Sequence, residues 1–244
     1  MKHKYQDKPA YIANSARIEN SVLKDESSIY QLAWVKNSTL ERYASVGDCS
    51  KVDNSFLGSY ARIGRFNQIY ESSFGYHSYT GPSSVVLKSS IGKFCSISWN
   101  VSIGPANHDY KRITNHSFLY NNFDDLRPSH IEAAYDRFKE PCVLGNDVWV
   151  GAGAVILRNV NIGHGAVIGA NSVVNQNIPP YSIAVGVPAH VINYRFDDST
   201  VARLLEIEWW DFPDEVIRDN LELFSSFPKE YFLNEMTRLK KSLE

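Results

Sequence analysis

Cysteine is scarce in this chain, with three residues among 244. Cys49, Cys95 and Cys142 lie far apart and show no CxxC spacing. An odd number of isolated cysteines fits neither a disulfide framework nor a zinc knuckle. We therefore expect buried, reduced thiols.

An excess of charge of either sign is missing too. Lysine and arginine together number 25, aspartate and glutamate 27, and the isoelectric point is about 6.4. Such a balance gives no broad attraction for nucleic acid or anionic lipid. No apolar run approaches the roughly 18 residues of a membrane span, and the opening MKHKYQDKPAY lacks the apolar centre of a signal peptide. We expect a cytoplasmic protein that neither binds nucleic acid nor inserts into a membrane.

What the sequence does contain is a repeat of six residues. An aliphatic residue recurs every six positions, without a slip, at Leu144, Val150, Ile156, Ile162, Ile168 and Val174. The fifth place of each unit is mostly small or β-branched. This period matches neither an α-helix nor a simple half-buried strand, and it predicts a strand plus a turn that form one side of a three-sided solenoid coil. Each coil would bury its apolar positions against its neighbours.

The same frame occurs earlier, in VVLKSS, IGKFCS and ISWNVS, which begin at Val85 and end at Ile103. Further towards the N-terminus Lys24, Glu41 and Gly58 occupy places where the frame requires an aliphatic residue. We therefore expect the N-terminal coils to be less regular.

About forty residues between Ile103 and Leu144 do not fit the repeat. They predict an excursion loop, about 105–141, that leaves the prism. Long ordered loops on rigid scaffolds commonly carry function. This one holds His108, His116 and His130, and its many aromatic residues indicate an ordered loop because they require burial.

After Pro188 the composition becomes helical. Val201, Leu204 and Trp209 have helical spacing behind Asp198 and Ser199, either of which could cap a helix. Prolines 213 and 228 fit the first turns of two further helices. The chain is thus predicted to divide into a β-helix domain, 1–196, and a helical segment, 197–244. Trp209 and its neighbour Trp210 are expected to be packing residues.

The run LGNDVWVGAGAVI, with IGHGAVIGANSVV and IPPYSIAVGVPAHVI, resembles the hexapeptide-repeat acyltransferases. IGKFCSISWNVSIG followed by NHDY is similar to their xenobiotic and polysaccharide branch, which includes chloramphenicol and streptogramin acetyltransferases. The resemblance covers about residues 60 to 225. It implies a mainly β fold, a left-handed parallel β-helix (a triangular solenoid) with C-terminal α-helices. It also implies a homotrimer with each site between adjacent subunits.

The resemblance places the catalytic histidine of the family at His108 and implies acetyl-CoA as co-substrate. A histidine base removes the proton of an acceptor hydroxyl as that hydroxyl attacks the thioester. An N–H of the turn Val150–Gly151–Ala152 is the implied donor to the oxyanion. Cys95, at a small inward position of its repeat, is not expected to be a nucleophile. Whether Asp109 or a backbone carbonyl orients His108 stays open.

Seven residues are implied to bind acetyl-CoA: Trp149, Gly151, Ala152, Ala170, Asn175, Gln176 and Arg195. Repeat geometry alone would equally explain the two alanines. Two basic residues of many relatives are absent here, at Gln176 and His190, so the nucleotide phosphates are expected either to use Arg195 or Arg158 or to bind more weakly. His116 is expected to serve the acceptor site or the structure of the loop. The remaining histidines are expected to be non-catalytic: His3, His77, His130, His164 and His190.

The favoured acceptor is a saccharide hydroxyl in capsule, O-antigen or a nucleotide sugar. The alternatives are O-acetylation of a chloramphenicol- or streptogramin-type antibiotic and N-acetylation of a sugar. A γ-class carbonic anhydrase would need three histidines around zinc, and the positions of His77, His108 and His116 show no such pattern. We therefore expect no metal. A non-catalytic solenoid scaffold is the last alternative, and it would not need a long aromatic loop with a histidine.

Overall fold

The structure is a computed structural model that describes residues 11–225 and 228–243. His3 and the first ten residues of the predicted β-helix domain lie outside the described residues.

Twenty-five short strands run through the described chain before the C-terminal helices. Before the excursion loop they are β1 (Tyr11–Ile12), β2 (Arg17–Glu19), β3 (Val22–Leu23), β4 (Ser28–Ile29), β5 (Trp34–Lys36), β6 (Thr39–Leu40), β7 (Ser45–Val46), β8 (Lys51–Asp53), β9 (Phe56–Leu57), β10 (Arg62–Ile63), β11 (Gln68–Tyr70), β12 (Ser73–Phe74), β13 (Tyr79–Thr80), β14 (Val85–Leu87), β15 (Ser89–Ile91), β16 (Ser96–Ile97) and β17 (Ser102–Ile103). After it they are β18 (Cys142–Leu144), β19 (Trp149–Val150), β20 (Val155–Ile156), β21 (Asn161–Ile162), β22 (Val167–Ile168), β23 (Val173–Val174), β24 (Ser182–Gly186) and β25 (Ala189–Tyr194).

These strands build a three-sided prism. Sheet I runs β1-β4-β7-β10-β13-β16-β19-β22-β24-β25, sheet II runs β2-β5-β8-β11-β14-β17-β20-β23, and sheet III runs β3-β6-β9-β12-β15-β18-β21. Strands three apart in the chain are therefore neighbours, so each coil contributes one strand to each sheet. The last two strands are exceptions, because β24 pairs with β22, two strands earlier, and β25 pairs antiparallel with β24. The prediction of a left-handed parallel β-helix is confirmed.

The N-terminal coils are regular, contrary to expectation, but they are one residue shorter than those after the loop. Ser28 pairs with Ser45 one coil later, a step of 17 residues, whereas Trp149 pairs with Val167, a step of 18. Two sides of each early coil have six residues and the third has five.

The five-residue side explains why Lys24, Glu41 and Gly58 occur where a strict six-residue frame requires an aliphatic residue. Leu40 and Leu57 are fully buried, and each stands one position before the residue, Glu41 or Gly58, that a strict six-residue frame assigns to the core. Lys24 follows the corresponding leucine of the first coil. The frame based on Val85 is wrong for the same reason, since its neighbour Val86 is the buried residue.

Small polar side chains connect successive coils inside the prism. Ser38, Ser55 and Ser72 each accept a hydrogen bond from the backbone N–H of the residue one coil further on, the last of these bonds coming from Ser89. Buried hydroxyls and amides are thereby satisfied without water. The serines that interrupt the aliphatic pattern therefore stabilise the stacking of the coils.

The corner between sheets III and I carries a column of rings. Tyr43, Tyr60, His77 and Phe94 stand 17 residues apart, adopt left-handed φ angles and stack with centroid separations of 4.6, 4.8 and 4.8 Å. A left-handed conformation is unfavourable for a residue with a side chain, and ring stacking offsets part of that cost. The column ends against Trp209, whose ring lies 5.0 Å from that of Phe94.

The C-terminal helices are α1 (Asp198–Ile207), α2 (Asp214–Asp219) and α3 (Lys229–Leu243), with 3₁₀ turns at Trp209–Asp211 and Leu221–Phe224. The cap of α1 is Asp197, which accepts from the N–H of Thr200, and not Asp198 or Ser199. The predicted packing role of the tryptophans is confirmed: Trp210 is 2% exposed and stacks on His164 at 4.8 Å. None of the helices in the described ranges is long and apolar enough to cross a membrane.

Candidate active site

The excursion leaves the prism after β17 and returns at β18, at the corner between sheets II and III. Arg158 holds the two ends of the excursion loop together. The side chain of this residue is buried, and its guanidinium donates to four backbone carbonyls, those of Leu87, Lys88, Gly104 and Glu140. Gly104 and Glu140 lie at the two ends of the loop, so one side chain fixes both ends to the coil below. Arg158 is therefore not free for the nucleotide phosphates.

Beyond these ends, two backbone hydrogen bonds join the outgoing arm of the loop, which contains Asn107 and Leu119, to its returning arm. The N–H of Asn107 donates to the carbonyl of Arg137 at 3.1 Å, and the N–H of Ala134 donates to the carbonyl of Leu119 at 2.7 Å. Tyr120 and Tyr135 pack edge to face between the arms. The expectation that the loop's aromatic residues are buried is wrong for two of them, since Tyr110 and Phe123 are 80% and 90% exposed.

His108 lies on the outgoing arm of the loop, where it is exposed and both of its ring nitrogens are within hydrogen-bond distance of a partner. Its Nδ1 is 3.1 Å from the carbonyl oxygen of Asn115, and its Nε2 is 3.3 Å from Nη2 of Arg137. A carbonyl only accepts and a guanidinium only donates. The neutral ring therefore carries its proton on Nδ1 and its lone pair on Nε2. This is the arrangement of a histidine base whose second nitrogen is oriented by a backbone carbonyl.

The structure answers the question that the sequence left open. Asp109 does not orient His108, because its carboxylate pairs with Arg112 at 2.9 Å. The carbonyl of Asn115 and the guanidinium of Arg137 were not predicted. Neither has a signal in the sequence, since residues seven and 29 positions away meet His108 only through the path of the loop.

Three of the other histidines in the described chain have structural contacts. His116 caps the 3₁₀ turn Ser117–Leu119, accepting from the N–H of Phe118. His77 pairs with Asp214 at 2.9 Å, and His164 accepts the N–H of Asn146. Burial lowers the pKa of His164.

The implied donor-binding residues lie mainly at the corner between sheets I and II. The amides of Gly151 and Gly153 are used by the coil, donating to Ile168 and Trp99. Across the described residues, neither Ala152 nor Ala170, one coil apart at this corner, donates its backbone N–H to an acceptor. Two free amides thus stack along the outside of the prism. A carbonyl, amide or oxyanion of a ligand could accept from them.

The remaining predicted residues differ in their setting. Gly151 is buried and serves the close approach of two coils, because a Cβ there would lie 2.5 Å from the nitrogen of Ala170. Trp149 is 56% exposed on sheet I. Asn175 and Gln176 are exposed where the chain leaves sheet II after β23. The side-chain amide of Gln176 donates there to the carbonyl of Ala189.

Arg195 is separated from this set. It lies at the corner between sheets III and I, where Nη1 binds the carboxylate of Asp147 at 3.0 Å and the carbonyl of Gly165 at 2.7 Å. Its guanidinium also lies over the rings of Tyr181 and Phe196. These contacts give Arg195 a structural partner, and one protomer does not bring it to the alanine amides.

Burial makes the inner thiols poor nucleophiles. Cys95 and Cys142 have no exposed surface, and burial raises their pKa values to about 12 and about 11. Both are therefore protonated near neutral pH. The predicted inward position of Cys95 is confirmed. Cys49 is exposed, which corrects the expectation that it is buried. Within residues 11–225 and 228–243, no three His, Cys, Asp or Glu side chains converge to hold a metal ion.

Residues 141–176 match the model of the bacterial transferase hexapeptide family with six repeats. A probable macrolide acetyltransferase of Lysinibacillus sphaericus is 41% identical over 140 residues, which are 56% of this chain and 76% of that protein. The chain belongs to the hexapeptide-repeat acyltransferases. This acyltransferase is 35% identical to a chloramphenicol acetyltransferase of Escherichia coli over 139 residues, which are 56% of the chain and 65% of that relative.

Among solved structures, this acyltransferase is similar to an N-acyltransferase from Bacillus cereus in complex with dTDP and 3-hydroxybutyryl-CoA. The identity is 20% and the TM-score 0.43, over 82% of this chain and 90% of that one. The family membership makes the protein an acyl-CoA-dependent acetyltransferase, which confirms the predicted class of enzyme.

Proposed function

We propose that this acetyltransferase moves an acetyl group from acetyl-CoA to an acceptor hydroxyl, with Nε2 of His108 as the general base. The observation that supports this role is the hydrogen bond from Nδ1 of His108 to the carbonyl of Asn115. It directs the lone pair of the neutral ring to Nε2 on an exposed loop. A neutral imidazole is a base of suitable strength near pH 7.

The proposed transfer is direct. The acceptor oxygen attacks the thioester carbonyl while its proton passes to Nε2 of His108. The C–O bond forms, the C–S bond breaks, and His108 returns the proton to the CoA thiolate. The backbone N–H of Ala152 is the proposed donor to the oxyanion, since it is the free amide of its turn. The free amide of Ala170 extends this row along the pantetheine arm. Arg195 is left out of the proposed donor site because Asp147 binds it.

We further propose that the site is completed between the subunits of a homotrimer. The loop with His108 leaves at the corner of sheets II and III, whereas Ala152 and Ala170 lie at the corner of sheets I and II. One full side of the prism separates the two groups within a protomer. An adjacent protomer could bring its alanine amides to this loop. Scattering measurements should show a stable trimer, and a fully active monomer would contradict this part of the proposal.

The proposed acceptor is a saccharide hydroxyl. The half-buried rings of Tyr120, Tyr135 and Phe138 line an open pocket of about 630 Å³, and such rings suit the apolar faces of sugars. The ring of Tyr120 connects this pocket to His108, with ring centroids 5.6 Å apart. An antibiotic hydroxyl is the second candidate, because the relatives are named macrolide and chloramphenicol acetyltransferases.

Release of the CoA thiol, measured with acetyl-CoA and a panel of saccharides and antibiotics, tests this proposal. His108→Ala should lower kcat/KM about 10²- to 10⁴-fold, as expected for loss of a general base. His116→Ala is the matched control, since His116 caps a turn of the same loop and does not contact His108 in any described hydrogen bond. Full activity of the His108 variant, with unchanged circular dichroism, would contradict the proposed base.

A further inference from the structure

Arg137 carries a positive charge that the described chain does not neutralise. Two acidic residues of the loop that adjoin Arg137 or His108 in the chain are paired with other cations: Asp136 lies 3.6 Å from Lys88, and Asp109 lies 2.9 Å from Arg112. None of the salt bridges between described residues includes Arg137. The contacts of its guanidinium are the carbonyl of Asn107 at 3.4 Å, a ring nitrogen and the aromatic rings of Tyr120 and Phe138.

The ring nitrogen is Nε2 of His108, at 3.3 Å from Nη2 of Arg137. This is the atom whose lone pair must receive the proton of the acceptor. A guanidinium that donates to that lone pair occupies the position of the reacting hydroxyl. Arg137 must therefore move before an acceptor can bind to the base.

The surroundings of Arg137 supply a binding site for such an acceptor. The guanidinium carbon lies 4.2 Å from the ring centroid of Tyr120, and Nη1 donates in none of the described hydrogen bonds, in contrast to Nε and Nη2. Tyr135, which lines the same pocket, has a buried hydroxyl without a hydrogen-bond partner among the described residues. A guanidinium fork without a carboxylate partner matches the geometry of a carboxylate or phosphate.

We propose that Arg137 selects the acceptor: in the free protein it covers the lone pair of His108, and an acceptor with a carboxylate or phosphate near its reacting hydroxyl draws the guanidinium away and exposes the base. Acidic saccharides, as uronates or sugar phosphates, are then the preferred substrates. This inference rests on the proposed role of His108 as the base.

The kinetic test compares acceptors with and without an anion. Methyl glucuronide, which carries a carboxylate in place of the 6-hydroxymethyl group of methyl glucoside, examines the carboxylate. Glucose 1-phosphate against the same glucoside examines the phosphate while the 6-hydroxyl is kept. The wild-type protein should prefer at least one anionic member by tenfold or more in kcat/KM. Arg137→Gln should abolish that preference by lowering kcat/KM for the anion and raising it for methyl glucoside, because a guanidinium then no longer covers the lone pair of His108. Arg137→Lys should keep part of the preference.

Arg112→Gln is the matched control. It removes a cation from the same loop, but one that Asp109 already neutralises. Its anion preference should equal that of the wild type. An equal loss in both glutamine variants would show a general effect of loop charge and would overturn the inference.

A spectroscopic readout does not depend on turnover. Titration with inorganic phosphate or glucuronate should shift the imidazole resonances of His108 in the wild type, because Arg137 leaves Nε2. The shift should be absent in Arg137→Gln. No shift in the wild type, or the same shift in the variant, would overturn the inference.

The two proposals fail separately. If His108→Ala is inactive but anions move no resonance and bring no preference, the base stands and the selection by Arg137 falls. If His108→Ala stays active, the base role falls. The anion site still stands in that case if anions shift the His108 resonances of the wild type and not those of Arg137→Gln.

Discussion

Arg158→Met is the substitution that most directly tests how the loop is held on the prism. Methionine keeps much of the aliphatic part of the side chain and removes the guanidinium that binds the carbonyls of Leu87, Lys88, Gly104 and Glu140. Hydrogen bonds to a charged group contribute about 1.5–3 kcal/mol each, so four would give an upper bound of about 6–12 kcal/mol.

The net effect should be smaller because burying the guanidinium has its own cost. Arg158 is 5% exposed, and burial lowers its pKa from the ordinary value. Each buried acceptor left without its partner costs about 1–3 kcal/mol, and the desolvation cost of the guanidinium offsets part of the sum, so we expect a net loss of about 3–5 kcal/mol in the free energy of unfolding. The acetyl-transfer rate should fall with it, since both ends of the loop with His108 lose their anchor.

The assay is equilibrium unfolding in urea at fixed protein concentration, followed by circular dichroism and tryptophan fluorescence. The control is Arg238→Met on α3, whose side chain is 69% exposed and pairs with Glu235. That change should cost less than about 1 kcal/mol. A loss below about 1 kcal/mol for Arg158→Met would refute the assignment of Arg158 as the anchor of the loop.

Two further predictions concern the prism and its helices. The folded state keeps protons on Cys95 and Cys142 that the unfolded chain releases above its pKa of 9.0, so stability should fall as pH rises, by about 1.4 kcal/mol for each thiol at pH 10. Urea titrations at pH 7 to 10 measure this slope, and an unchanged slope in the double alanine variant would contradict it. His77→Ala should cost about 1–3 kcal/mol because it removes two ring contacts, whereas Asp214→Asn should cost less than about 1 kcal/mol because the hydrogen bond between His77 and Asp214 is partly exposed. Thermal melting of both variants decides between ring stacking and this hydrogen bond, and a larger loss for Asp214→Asn would contradict the ranking.

The accuracy of the sequence-based predictions followed the regularity of the chain. The six-residue recurrence from Leu144 to Val174 predicted buried positions that all lie in the core. The five-residue side of the early coils misplaced Glu41 and Gly58 by one residue, because neighbouring coils need equal lengths and not a particular length. His108 was predicted from its place beyond the last coil and from a family resemblance. Its partner Arg137 could not be predicted, since loops have no period.

The sequence alone thus determined the class of fold, the position of the excursion and the class of enzyme. Aliphatic residues at a constant spacing must share one side of the chain, and this local rule repeats without reference to the rest of the molecule. The tertiary structure decided which groups surround His108. Hydrogen bonds between residues far apart in the chain depend on the path of the loop, and Arg158 fixes that path by binding both of its ends.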